Sequence, residues 1–183
     1  MAETKTVFRF FTIADFEEEE AWLREQHNMG WKLKNAAVFL YTFERCAPED
    51  VIYRLDYKNG EESEDYLQLF RDYGWEYFDH NAGWLYFRKP AALIESEEEG
   101  ELFSDNSSRI DMVRYIIRTR LLPLCIIFFS CVVPNFIRYR TGNAPHYGEA
   151  FLGGFFSVMF LIYVWLIIHC GLRLKKIEDR YKQ

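Results

Sequence analysis

The apolar positions of the chain follow two regimes that meet near residue 108. Up to that point they come in short bursts separated by turn signals. Beyond it they form two long runs, Leu121 to Ile137 and Ala150 to Cys170, edged by arginine and lysine. In the first regime the segments 6–12, 31–35, 38–45, 51–57, 75–79 and 84–89 are rich in β-branched and aromatic residues and predict strands. Between them, 16–29 and 62–73 carry one stripe at helical spacing. The stripe is Trp22, Leu23, Gln26 and Met29 in the first helix, and Tyr66, Leu67, Phe70 and Tyr73 in the second. Asn59-Gly60 and His80-Asn81-Ala82-Gly83 read as turns.

The pattern repeats with a period near 44. VFRFFT at 7–12 lines up with VIYRLD at 51–56, Gly30-Trp31 with Gly74-Trp75, and Tyr41-Thr42-Phe43, one residue later, with Tyr86-Phe87-Arg88. Each half then reads strand, helix, strand, strand. Each helix runs straight into Gly-Trp, where the glycine is expected in the left-handed conformation that ends a helix. Asp15 ahead of Glu18 suggests a capping box. The acidic first turns (Glu17 to Glu20; Glu61, Glu62, Glu64, Asp65) suit the positive end of a helix dipole, which accounts for much of the negative charge without a ligand. The expected fold is α+β: a tandem βαββ repeat over residues 1–90, with two helices on one face of an antiparallel sheet, ferredoxin-like or barrel-like. The same plan is found in the effector-binding domains of multidrug-responsive regulators, a likeness of topology that does not carry function.

The long runs change the class of the protein. A bilayer core about 30 Å thick is crossed by roughly 20 apolar helical residues. The chain is therefore expected to continue through an acidic linker, 91–108, and a juxtamembrane amphipathic helix, 109–120, striped by Ile110, Val113, Ile116 and Ile117. A transmembrane helix at 121–138, an external loop at 139–149, a second span at 150–172 and a basic tail at 173–183 complete the plan. Leu102-Phe103-Ser104-Asp105 breaks the acidic linker as a small docking-like element. Pro134, late in the first span, should end or kink it, whereas Pro123 near its start is harmless. Gly153 and Gly154, with Gly142, Pro145 and Gly148 in the loop, fit a hairpin packed through small residues, or simply ease a turn. Arg109, Arg114, Arg118 and Arg120 precede the first span, and Arg173, Lys175, Lys176, Arg180 and Lys182 follow the second. Between the spans, from 138 to 149, stand only Arg138 and Arg140, with Glu149 at the far end. By the positive-inside bias, this is a multi-pass cell-membrane protein with both termini in the cytoplasm.

Charge sharpens the division. The net charge of −6 combines −13 over residues 1–108 with +7 over 109–183. So acidic a domain is expected to bind no nucleic acid, whose recognition draws on cations meeting phosphates, and to stand off anionic lipid. Of the four cysteines, Cys125, Cys131 and Cys170 lie in the apolar runs and Cys46 is alone, so neither a disulfide framework nor structural zinc is expected. The opening MAETKTVFRFF is too soon charged for a signal peptide.

No catalytic constellation is legible. His27, at the end of a helix where a cation is favourable, and His80, His146 and His169 share no metal-ligand spacing. Asp56, Asp72 and Glu76 have no partner that the sequence assigns. No cofactor and no metal are expected. The surplus lies in large rings on both faces of several strands, which must close a core, pack on another copy or line a site. Trp31, Tyr41, Tyr53, Trp75, Trp84 and Tyr86, with Arg54 and Asp56 as polar handles, form the candidate face for a ligand or partner. The expectation is a non-enzymatic, membrane-anchored sensor or adaptor that binds a protein partner or itself. The alternative is a small-molecule module with an aromatic site for a lipophilic or cationic effector between the two repeats.

Several segments carry a resemblance. They are Phe8-Arg9-Phe10-Phe11, Gly30-Trp31-Lys32-Leu33, Tyr41-Thr42-Phe43-Glu44, Tyr53-Arg54-Leu55-Asp56-Tyr57, Asp72-Tyr73-Gly74-Trp75-Glu76, Tyr86-Phe87-Arg88-Lys89 and Phe103-Ser104-Asp105. In order and spacing they resemble DUF2812, a bacterial domain of unknown function. Its members are usually membrane-anchored and tend to be encoded beside PadR-type transcription regulators. The resemblance implies the architecture and a regulatory setting, and no catalytic residues.

Overall fold

The computed structural model describes residues 3–58, 63–96, 98–102, 106–140 and 147–181. The expected Asn59-Gly60 turn, Glu61 and Glu62, Phe103 to Asp105, the loop residues Gly142, Pro145 and His146, and Lys182 lie outside the described residues. The chain divides into two compact units, Met1–Met112 and Val113–Gln183.

The first unit is α+β. It contains β1 (Thr4–Phe8), α1 (Phe16–Asn28), β2 (Trp31–Ala37), β3 (Leu40–Arg45), β4 (Val51–Tyr57), α2 (Glu64–Asp72), β5 (Glu76–Asn81) and β6 (Trp84–Pro90). The strands make two antiparallel three-stranded sheets, ordered β1-β3-β2 and β4-β6-β5, where one larger sheet was expected. Each sheet has a register shift in its third-listed strand, between Leu33 and Asn35 in β2 and between Tyr77 and Asp79 in β5. Those two bulged edges face each other. Ala36 N–H donates to the Asp79 carboxylate at 2.6 Å, and Arg88 Nη1 donates to the Leu33 carbonyl at 3.2 Å. A bulge twists an edge strand and interrupts its ladder, so the edges meet through side chains and the sheet does not continue.

The pairing corrects two alignments made on sequence. Lys32 lies opposite Glu44, and Glu76 opposite Arg88; Leu33 lies opposite Phe43, and Tyr77 opposite Phe87. Tyr41 therefore corresponds in register to Leu85, and Thr42 to Tyr86. In the first strands, Thr4 pairs with Glu44 and Tyr53 with Arg88, so TKTVF, not VFRFFT, occupies the place of YRLDY. The difference arises because α1 begins with an extra turn relative to α2. Phe10 and Phe11 fall outside β1, which stops where its partner β3 begins its turn.

Asp15 does not cap α1. Its carboxylate turns back to accept from Thr12 N–H at 2.8 Å and Thr12 Oγ1 at 2.7 Å. Ser63 caps α2 by accepting from Tyr66 N–H at 3.2 Å. α2 packs Leu67 and Phe70 against Trp75, Leu85 and Phe87, and Leu102 joins the same cluster. The acidic segment after β6 is thus folded onto the domain over its described residues rather than extended in solvent. Both faces of β4 and β6 are covered: Tyr53, Tyr57, Tyr86 and Phe87 are fully buried. Much of the aromatic surplus is core.

The second unit contains two helices long and apolar enough to cross a membrane, Ser108–Arg138 and Leu152–Tyr181, the first of which starts within the first unit. The first passes from α3 (Asn106–Ile116) through a π-turn at Ile117–Leu121 to α4 (Leu122–Ile127), then a π-turn at Phe128–Val132 to α5 (Val133–Arg140). Each π-turn directly precedes the residue before a proline, Pro123 or Pro134. Proline lacks an N–H and crowds the carbonyl four residues back. A widened turn makes room, so Pro134 does not end the helix. The second helix, α6 (Tyr147–Tyr181), continues through the basic tail. Phe136 stacks on Phe160 with centroids 4.4 Å apart, Phe128 meets Phe160 and Tyr163, and Arg114 reaches Glu178 at 3.3 Å. The helices therefore pack through rings. A Cβ built at Gly154 would meet nothing within 4 Å, so that glycine does not mediate a close approach.

Gly30 and Gly74 end α1 and α2 with φ of 81° and 80°, as the Gly-Trp steps predict. A Cβ at Gly30 would sit 3.0 Å from the Cys46 carbonyl, whereas at Gly74 it would meet only the Lys89 side chain. Both Gly→Ala changes should destabilise the full-length protein by about 1–2 kcal/mol, with Gly30→Ala the worse. Urea midpoints in detergent would reveal it; equal midpoints for Gly30→Ala and Gly74→Ala would contradict the reading.

Candidate functional site

α1 lies on β2 of its own sheet and along β4 of the other. Its buried face is Phe16, Glu19, Glu20, Trp22, Leu23, Gln26 and His27. Met29, expected on this stripe, is exposed. Two adjacent carboxylates thus enter the interior, and each is met by donors from elements far along the chain.

Glu19 Oε1 accepts from Tyr41 Oη of β3 at 2.9 Å and from Tyr86 Oη of β6 at 2.7 Å, so one oxygen ties a tyrosine from each sheet. Burial pushes its carboxyl above the ordinary carboxylate range, and the two hydroxyls oppose the shift. Burial also raises both tyrosines, reinforced by the Glu19 charge, so they act as donors.

Glu20 closes a second array. Its Oε1 accepts from Leu55 N–H at 2.8 Å, satisfying a backbone donor on the outer edge of β4. Its Oε2 faces Arg54 Nη1 at 3.5 Å and Arg109 Nη2 at 3.9 Å. Arg54 Nη2 donates to Glu101 Oε1 at 2.7 Å, and Arg109 Nη1 donates to Glu101 Oε2. Glu20, Arg54, Glu101 and Arg109 form a closed ring of alternating charge contributed by α1, β4, the segment after β6, and α3. Burial pushes the Glu20 carboxyl up to about 7, against the pull of Arg54, Arg109 and the Leu55 N–H. Such a buried carboxyl costs desolvation energy that only its partners offset.

Two further polar pairs are buried nearby. His27 Nδ1 lies 2.8 Å from Tyr53 Oη. Burial, then Arg88, lowers its pKa, against the cation that a helix end favours. Asp56 is buried and accepts from Tyr66 Oη; burial raises its pKa. Glu76 is held below the ordinary range by the Arg88 hydrogen bonds, and Asp72 accepts from Gln68 at 2.8 Å.

The eight residues of the expected face do not form one surface. Tyr41 and Tyr86 meet on Glu19; Tyr53 meets His27; Arg54 belongs to the charge ring and Asp56 to Tyr66. Trp75 fills the α2 core, and Trp84 packs between Phe16 at 5.3 Å and Tyr57 at 5.2 Å. Trp31 is half-buried beneath Lys5 at 4.4 Å and Arg45 at 4.9 Å. Sequence reasoning missed Glu19, Glu20, Glu101 and Arg109. Phase alone would have flagged the first two, because they lie three and four residues after Phe16 and four and three before Leu23. Among the described residues, no three His, Cys, Asp or Glu side chains gather as a metal site requires.

Bare apolar surface occurs instead at one end of the first sheet. Phe8 is 70% exposed and Phe10 is 50% exposed; their rings lie 6.1 and 5.3 Å from Phe39, beside exposed Val38 and Leu40.

The sign of the Glu20 effect follows from its raised pKa. Its contribution to stability is complete below the ordinary value of 4.5 and is lost as the pH climbs through about 7. His27 acts in the opposite sense, since a lowered pKa favours the fold above 6.5. Glu20→Gln should reduce the stability lost between pH 4.5 and 8 by on the order of 3 kcal/mol. Urea midpoints of wild type and variant at pH 5 and 8 measure this; parallel pH profiles would refute it.

No curated protein and no solved structure matches the chain. A family model described as "Protein of unknown function (DUF2812)" matches residues 15–127, from the start of α1 through the first unit and into the first apolar helix. The chain belongs to that family.

Proposed function

We propose that this protein is a membrane-anchored, non-enzymatic sensor or adaptor whose soluble domain faces the cytoplasm and binds a protein partner or a second copy of itself. The observation that carries this reading is the exposed patch of Phe8, Phe10, Val38, Phe39 and Leu40, because contiguous apolar surface on a soluble domain marks an interaction site. We further read the two βαββ halves as copies of one unit, supported by their common strand order and equivalent bulges. The apolar helices are read as a transmembrane hairpin with both termini inside. The cations before the first helix and after the second support that orientation.

The charge ring supplies a route from domain to membrane. Arg109 stands at the start of the helix that becomes the first span, and Glu101 and Glu20 hold it to Arg54 and α1. A partner that moved α1 would act on Arg109 directly. The family match, which runs through this junction without a break, is consistent with domain and helix working as one unit.

Chemical cross-linking in intact membranes tests the patch. The wild type should give a discrete adduct, and Phe10→Ser with Phe39→Ser should reduce it at least several-fold with an unchanged melting temperature. A wild type that stays uncross-linked and monomeric would sink the proposal. For orientation, a phosphatase reporter that needs export should stay inactive when fused after Gln183; an active one would reverse the topology.

A further inference from the structure

We propose that the basic end of α6 holds the phosphate of an anionic phospholipid, with an acyl chain laid along the apolar face that precedes it. Leu161, Trp165, Ile168 and Leu172 are among the most exposed large apolar residues of α6 and recur at helical spacing on one face. The same face continues unbroken into Lys175, Lys176, Asp179 and Arg180, because α6 stays helical to Tyr181. With Leu172, these four residues line a shallow, open hollow on the helix surface of about 420 Å³. The opposite face, Cys170, Leu174 and Ile177, is buried.

Dimensions and charge select the occupant. Leu161 to Leu172 spans about 17 Å at 1.5 Å per residue, close to the roughly 15 Å half-thickness of a bilayer core. The stripe is one acyl chain long, and the cations begin one turn beyond it, at headgroup depth. This surface has three cations against one carboxylate, Asp179. The other acid of this segment, Glu178, is engaged by Arg114 at 3.3 Å. Among the described residues, Lys175 and Lys176 make no hydrogen bond or ion pair, so their ammonium groups are available to phosphate oxygens. A zwitterionic headgroup brings its own cation and would gain less. This surface also differs in sign from residues 1–108, whose net charge is −13.

The inference rests on the reading of α6 as a membrane span, and the two can fail separately. Full-length protein purified in neutral detergent would be melted with added phosphatidylglycerol, phosphatidylcholine or inorganic phosphate. Phosphatidylglycerol should raise the melting temperature by several degrees while phosphatidylcholine and phosphate do not. Lys175→Gln with Lys176→Gln should abolish that increment and leave the lipid-free melting temperature unchanged; Lys175→Arg with Lys176→Arg should keep it. Arg138→Gln, at the far end of the first helix, should also keep it. Equal shifts with both lipids, an equal shift with phosphate alone, or an increment that survives the double Gln variant would each overturn the site. If the Gln variant lowers the lipid-free melting temperature, retention of phosphatidylglycerol over phosphatidylcholine in native mass spectrometry decides: equal retention overturns the site, and selective retention by wild type alone supports it. Protein that leaves the membrane in a carbonate wash would defeat the span reading itself.

Discussion

Glu19 and Glu20 enter the interior from adjacent positions of α1, and the first unit is organised around satisfying them. A carboxylate removed from water requires donors, and each of these draws its donors from elements far apart along the chain. Glu19 bridges Tyr41 and Tyr86, one from each sheet. Glu20 occupies the free edge of β4 through the Leu55 N–H and enters the charge ring with Arg54, Glu101 and Arg109. If α1 slid by one residue, both carboxylates would lose their partners at once. The polar contacts therefore set position, while the apolar contacts around Phe16 and Leu23 supply the bulk of the driving force.

The arrangement has a consequence for the aromatic residues. With α1 along β4 and the bulged edges of β2 and β5 facing each other, β4 and β6 are covered on both sides. Rings that would line a surface in an open sheet become core, as Tyr53, Trp84 and Tyr86 do. The apolar surface left over gathers where β1 ends and the β2–β3 turn projects, beyond the reach of α1. β1 is an outer strand of its sheet, whereas the β4 edge is occupied by Glu20.

The apolar helices obey a simpler economy. Composition and length alone make them able to cross a membrane. Only local accommodations stand out: a π-turn ahead of each proline, and rings rather than glycines where Phe136 meets Phe160.

What was legible from sequence alone depended on short-range physics. β4, spanning Val51–Tyr57, and the left-handed Gly30 and Gly74 follow from periodicity and from the absence of a Cβ, as do the two long runs from their hydropathy. What was illegible depended on partners. Asp15 looked like a cap, but Thr12 offered it two donors on the other side. Glu17 to Glu20 looked like one dipole-directed acidic turn; the helix phase divides it, and Tyr86, 67 residues from Glu19, makes one member a core residue. The split into two sheets turns on bulges at single residues, which leave no compositional mark. Sequence by itself determined which segments are helix, strand or apolar run, because those preferences are settled within a few residues. The tertiary structure alone decided which charges are buried and which rings are exposed, because burial is a property of what lies across a contact.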